Sequence, residues 1–337
     1  MKRIVLTFVL LMAFPGKACF GIEFDRFHSQ DEISNYLREI ASANSDIATL
    51  TVLGTSTEGR EVAYLKLGSP KQKKPVRVYL NGTHHGNELS STETVLAVIE
   101  HLIRNRKSSA ITRLLSTHEI YLQPLVNPDG HAAGTRGDSL GRDPNRDYPV
   151  PGASESEEQG EASGFQMPET RFVKQILDRT SFDGAIAYHS GMEGVLWPWC
   201  HSPLPTPHQV RYRALAQHVA AAMNMSMYKQ SWQDYPTRGE FADYAYFKHG
   251  TLGITLEVSS EPAPDTASLN RILSRAVKGT LAYIRGLSSK AVAGMSPAFD
   301  EWGPFQTFAI KSHKLSGVAG EFYQDSQDAL DVLPVHH

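Results

Sequence analysis

The chain is short of several things at once. Its 337 residues include two cysteines, Cys19 and Cys200, so the fold does not depend on a disulfide framework. Neither sign of charge dominates: 33 Lys and Arg stand against 36 Asp and Glu, a net charge of −3. The basic residues are scattered, which excludes the electrostatic footprint of a nucleic-acid binder. The densest group, Lys71-Gln72-Lys73-Lys74, reads as a solvated loop before a strand. There is no internal repeat, and beyond the N-terminus no apolar run approaches transmembrane length.

The N-terminal run is informative. Lys2 and Arg3 precede apolar residues 4–14, and Pro15, Gly16 and small residues follow. This is the order of a secretory signal. Residues 1–21 are therefore expected to be a signal peptide, cleaved near Ala18 or Gly21, giving a secreted or periplasmic protein with no membrane span. Cys19 invites lipid anchoring, but Lys17 and Gly16 fit that cleavage site poorly. A Cys19–Cys200 disulfide requires cleavage to spare Cys19; otherwise Cys200 is a lone buried thiol.

Apolar alternation over 76–80 predicts a strand running into Thr83-His84-His85-Gly86-Asn87-Glu88. Ser90-Ser91-Thr92-Glu93 then offers a helix start, with Val95, Leu96, Val98, Ile99, Leu102 and Ile103 as its apolar face. A strand beginning at 120–122 runs to the turn Asn127-Pro128-Asp129-Gly130. Residues 134–163 read as one long loop, and loops of that length in a compact domain are usually functional. Further helices are expected over 168–178, 211–223 and 270–284, and strands over 184–188 and 253–258. Strands alternating with helices predict an α/β layered fold with ligands at the carboxyl ends of strands. Residues 288–337 lose the pattern and read as a C-terminal tail.

His85 and Glu88 place an imidazole and a carboxylate three positions apart, and His189 ends a predicted strand. Two nitrogens and one carboxylate leave a fourth coordination position open, the arrangement of a catalytic zinc site. His84 reads as structural, its side chain directed away from that of His85. Glu257 is the one carboxylate on an apolar strand, Ile254-Thr255-Leu256-Glu257-Val258. Burying it unpaired is costly, which marks it as a candidate functional acid.

With these residues in place, the chain resembles the zinc metallocarboxypeptidase superfamily, which includes carboxypeptidases A, B and E, over residues 24–287. The motifs carrying the resemblance are His85-x-x-Glu88, Arg136 with Gly141-Arg142-Asp143-Pro144-Asn145-Arg146, His189-Ser190, Tyr235 and Glu257. It implies an α/β catalytic domain with a central mixed, twisted sheet flanked by helices on both faces. It also implies one Zn2+ per chain on His85, Glu88 and His189, and zinc-promoted water attack on the last peptide bond of peptides with a free C-terminal carboxylate.

By the same resemblance, Glu257 is the general base, and Arg136 polarises the scissile carbonyl. Asn145 and Arg146 grip the terminal carboxylate, Tyr235 closes over it, and Asp143 orients His85. A guanidinium fork suits a carboxylate because it donates two parallel charge-assisted bonds. Arg142 has no functional counterpart. Ala242 falls at a specificity position and is too small to declare a preference, whereas Glu240 implies a taste for basic or other amine-bearing C-terminal residues. Two departures, Asp147 and Gly191, are expected to reshape the cleft. From the early start of the pattern, the larger pro-domain of some relatives is expected to be absent. The expected protein is a monomer. Its alternatives are an amidohydrolase of the same superfamily acting on peptidoglycan peptides or acyl-amino acids, and a catalytically silent peptide-binding homologue.

Overall fold

The protein is described from a computed structural model, in which residues 21–68, 74–152 and 164–288 are defined. The expectations for the signal segment, Cys19, residues 71–73 and the tail beyond Ser288 fall outside the described residues.

Ser29 opens helix α1 (Gln30–Ala43) with a reciprocal capping box to Glu32, satisfying backbone donors that a helix start leaves free. The elements that follow are β1 (Ala48–Thr55), β2 (Glu61–Leu67), β3 (Val76–Gly82), α2 (Leu89–Arg104), α3 (Ser109–Thr117), β4 (His118–Gln123) and α4 (Pro128–Ala133). Then come α5 (Pro168–Arg179), β5 (Gly184–His189), β6 (Met192–Trp197), α6 (Gln209–Met223), β7 (Tyr228–Gln230), α7 (Phe241–His249), β8 (Leu252–Ser259) and α8 (Thr266–Leu287). Short 3-10 turns occupy Pro144–Arg146 and Ser231–Gln233.

The strands form one mixed sheet in the order β1-β2-β4-β3-β5-β8-β6-β7. Its centre, β4-β3-β5-β8, is parallel, while β1, β2 and β6 pair antiparallel with their inner neighbours. Strand periodicity divides the core between two faces. Val78, Leu80, Ile186, Tyr188, Ile254 and Leu256 join the apolar stripes of α1, α2, α3, α6 and α8. Tyr79, Tyr121, Ala185 and Ala187 face the other way, against Val173 and Ile176 of α5 and Phe241 and Tyr244 of α7. The expected α/β architecture, with a mixed sheet and helices on both faces, is the one observed.

Differences lie mostly at element ends and in the N-terminal third. The expected strand over 76–80 extends to Gly82, and the expected helix over 270–284 begins at Thr266 and runs to Leu287. Ser90-Ser91-Thr92-Glu93 does not cap α2. The helix starts one residue earlier, with Glu88 at the N-cap position and no side-chain cap. Ser91 Oγ instead accepts the Thr83 N–H at 3.0 Å and donates to Glu88 O at 2.6 Å. The long loop over 134–163 is broken by the 3-10 turn at Pro144–Arg146. Among the described residues, no helix is long and apolar enough to cross a membrane. Cys200 is buried and has no disulfide partner among the described residues.

Candidate metal centre and substrate cleft

β3 delivers the ligand loop, and close packing fixes it. Thr83 is fully buried with φ of 63°, a left-handed conformation that costs energy for a branched residue. It is held there by its hydroxyl, which donates to Pro124 O at 2.9 Å. At Gly86 a Cβ would stand 2.0 Å from the Gly130 carbonyl carbon and 2.3 Å from His131 N. Only glycine lets α4 lie this close to the loop.

From this loop His85 and Glu88 meet His189, which ends β5. Glu88 spans the two rings: Oε1 is 2.7 Å from His85 Nδ1, and Oε2 is 2.9 Å from His189 Nδ1. The two Nδ1 atoms are 3.2 Å apart, and the three donor groups lie within 4.8 Å of one another, all buried. His85 Nε2 is 3.0 Å from Asp143 Oδ1. A ring that donates to a carboxylate from Nε2 presents its Nδ1 lone pair to the centre. The donor set therefore fits zinc: two imidazole nitrogens, one oriented from behind, and a carboxylate oxygen. Ser190 N–H donates to Glu88 Oε2 at 3.0 Å, a supporting contact that sequence reading missed because only the fold brings strand end and carboxylate together.

The electrostatics agree with the geometry. For Glu88 and Asp143, burial pushes the carboxyl pKa up, but the neighbouring imidazoles, with Arg136 and Arg146 beside Asp143, outweigh it and hold both well below the ordinary value. For His85, burial lowers the pKa, and the hydrogen bonds and charges of Asp143 and Glu88 reverse that into a net rise. Glu257 goes the opposite way. Burial first, then the charges of Glu88, Glu240 and Asp234, raise it well above the usual carboxylate range. Its Oε2 is buried without a hydrogen-bond partner.

Glu257 pairs in register with His189 across β5 and β8, so both emerge at the same sheet edge. A single cavity is lined by the triad, Glu257, Arg136, Asn145, Arg146, Tyr235 and Glu240. Arg136 Nε donates to Asp143 Oδ2 at 3.1 Å, and its Nη1 is 3.8 Å from Glu88 Oε1. Asn145 Oδ1 accepts the Phe241 N–H at 3.0 Å, leaving its amide nitrogen for the cavity. Arg146 Nη1 lies 3.4 Å from Glu240 Oε1. Glu240 is buried and also accepts a short bond from the Thr237 hydroxyl. Tyr235 is 55% exposed at the rim.

Other expected residues stand apart. Ala242 is buried against Gly253 and is not among the residues lining the cavity. Asp147 is not among the residues lining the cavity. Its carboxylate accepts the Gln166 and Met167 N–H groups at 2.8 and 2.9 Å, anchoring the entry to α5, where a negative charge suits the helix N-terminus. Gly191 does border the cavity, with φ of 132° and nothing within 4 Å of where a Cβ would be. Arg142 pairs with Asp138 at 2.5 Å. His84 is fully buried, its ring against His189.

Gly137-Asp138-Ser139-Leu140-Gly141 spells the Gly-x-Ser-x-Gly nucleophile elbow of serine hydrolases. It occupies a loop rather than a strand-to-helix turn, and Ser139 Oγ is buried without a hydrogen-bond partner. The structural context of such a nucleophile is missing.

The model of the zinc carboxypeptidase family matches residues 33–276. The chain belongs to the zinc carboxypeptidase family. It is 28% identical over 202 residues to carboxypeptidase B of Astacus astacus, covering 53% of this chain and 66% of that protein. It is also 28% identical over 272 residues to carboxypeptidase M of Mus musculus, covering 69% and 59%. The chain thus spans under two thirds of the length of each of these relatives. Among solved structures, carboxypeptidase A from Helicoverpa armigera superposes with a TM-score of 0.71 at 19% identity, covering 80% of this chain and 76% of that one. A metallo-carboxypeptidase from Burkholderia cenocepacia gives 0.61 at 17% identity, with 77% and 70% covered. Both show the same fold.

Proposed function

We propose that this zinc carboxypeptidase family member is an active exopeptidase that removes C-terminal residues from peptides outside the cytoplasm, with residues 22–287 as the catalytic domain. The observation carrying this reading is that one cavity holds the His85, Glu88 and His189 triad, the unpartnered carboxyl of Glu257, and the Asn145 and Arg146 clamp.

A zinc ion held by the triad would supply Lewis-acid chemistry toward a water and the scissile carbonyl. The protein's own groups do the rest. Arg146 and the Asn145 amide bind the α-carboxylate of the last residue, setting which peptide bond lies over the triad. Glu257 takes a proton from the attacking water and returns it to the leaving amine, so the carboxyl ends each cycle as it began. Burial and neighbouring carboxylates raise its affinity for a proton above that of an ordinary carboxylate, which favours its holding the proton between the two transfers. The Arg136 guanidinium meets the negative charge that develops on the carbonyl oxygen. Tyr235, exposed at the rim, covers the bound residue.

Glu240 sits beside Arg146 in the same cavity. This supports a preference for C-terminal residues carrying an amine or guanidine, such as Lys, Arg or the diaminopimelate of wall peptides. Glu240→Gln lowers the rate on a C-terminal Lys peptide relative to its Leu counterpart; an unchanged ratio rejects the preference. Export rests on the charged and apolar N-terminal segment, and N-terminal sequencing of the mature protein tests it. The activity itself is tested with a peptide supplied as free acid and as C-terminal amide. The free acid is trimmed and the amide largely spared; equal cleavage of both rejects the clamp.

A further inference from the structure

His84 takes no part in this chemistry, yet it is fully buried at the centre of the site. Its ring lies parallel to that of His189, with centroids 5.6 Å apart and an interplanar angle of 18°. Its Nε2 is 2.8 Å from the Tyr148 hydroxyl, and its backbone carbonyl accepts the Asn127 amide at 3.2 Å. Tyr148 is equally buried and lies two residues past Arg146. The Tyr148 N–H donates to Gly239 O at 3.1 Å, beside Glu240. The Tyr148 ring meets Phe241 edge-on at 5.8 Å, and the Phe241 N–H is the group that Asn145 Oδ1 accepts.

One side chain therefore touches a metal ligand on one side and, through a single hydroxyl, the segment carrying the substrate clamp on the other. Filling this volume does not require polar groups. Two phenylalanines would occupy it without the cost of burying an imidazole and a hydroxyl that must find each other. What the hydrogen bond adds is a fixed distance.

Building on the exopeptidase reading, we propose that His84 and Tyr148 are positioning residues. Their hydrogen bond holds the triad and the terminal-carboxylate clamp at the separation that one C-terminal residue requires. A clamp displaced by about 1 Å from the reacting centre costs on the order of 100-fold in rate.

The test compares Tyr148→Phe, His84→Phe and the double variant. Each single change leaves a buried polar partner unpaired and lowers stability, while the double change removes both partners and recovers most of it. All three are expected to lose about 10- to 100-fold in kcat/KM on a free-acid peptide. The ratio of free acid to C-terminal amide also narrows, which a mere loss of folded protein does not produce. A double variant that recovers activity along with stability, or an unchanged ratio, overturns the proposal.

A second readout needs no turnover. In the cobalt-loaded protein, Tyr148→Phe frees the ring packed on His189 and shifts the visible absorption; an unshifted spectrum overturns the link. If the parent protein trims no peptide, the exopeptidase reading fails, and the cobalt spectrum still decides whether the His84–Tyr148 link acts on the metal site.

Discussion

His189 and Glu257 are register partners on adjacent parallel strands, so a candidate metal ligand and the cavity's unpartnered acid leave the sheet side by side at its carboxyl edge. Each is an exception to its surroundings. β5 is otherwise Gly-Ala-Ile-Ala-Tyr, and β8 is apolar on both sides of the carboxyl. Local conflict of this kind marks places where function overrides packing.

Glu257→Gln keeps the shape and removes the proton acceptor. On the proposed mechanism, kcat falls by at least about 100-fold while zinc still binds. Because the folded protein holds this carboxyl protonated to higher pH than the unfolded chain does, ionising it destabilises the fold as pH rises. The metal-free variant should therefore melt above the metal-free parent at pH 7. A lower melting temperature or retained turnover contradicts the assignment.

Asp143 acts on the metal through His85. Asp143→Ala removes the acceptor of the Nε2 contact and should lower zinc affinity about 10- to 100-fold, measured by competition with a chromophoric chelator. Affinity within twofold of the parent would show that the ring is oriented by something else.

His131 gives a pH dependence whose sign can be worked out. Burial lowers its pKa from 6.5 to about 4, and neither ring nitrogen has a hydrogen-bond partner. Between these values the unfolded chain binds the proton and the folded one does not, so stability falls as pH drops from 6.5 toward 4. The full effect is about 3 kcal/mol. Denaturant titrations across that window should show a shallower slope for His131→Phe than for the parent; identical slopes place the dependence elsewhere.

Gly86→Ala drives a methyl into the backbone of Gly130 and His131, where no flexible side chain can yield. The cost should be about 1–3 kcal/mol or more, read as a lower unfolding midpoint with zinc binding lost in parallel. A variant as stable as the parent and still binding zinc would mean that the ligand loop is not pinned by α4.

Much of the site was legible in the sequence because its chemistry is out of place locally. A carboxylate on an apolar strand and an imidazole at a strand end stand out before any fold is known. The central strands were legible because both faces of β5 and β8 are buried and read as continuous apolar runs. α7 gave no signal, since Phe241 through Tyr246 are buried on every side and no helical stripe remains. Ser90-Ser91-Thr92-Glu93 imitated a cap because capping residues and residues bonding a neighbouring loop are the same types. The role of Asp147 is not local, since its partners Gln166 and Met167 lie 19 and 20 positions away. His84 reads as structural in the sequence, but its partner Tyr148 is 64 positions away, and only the fold brings them together.

The most direct test of the central claim is a mass-spectrometric time course. Mature protein loaded with zinc is incubated with a mixed peptide pool, alongside Glu257→Ala and a chelator-treated sample. Stepwise loss of single C-terminal residues, absent from both controls, is the predicted result. No trimming of any peptide by zinc-loaded protein would contradict it.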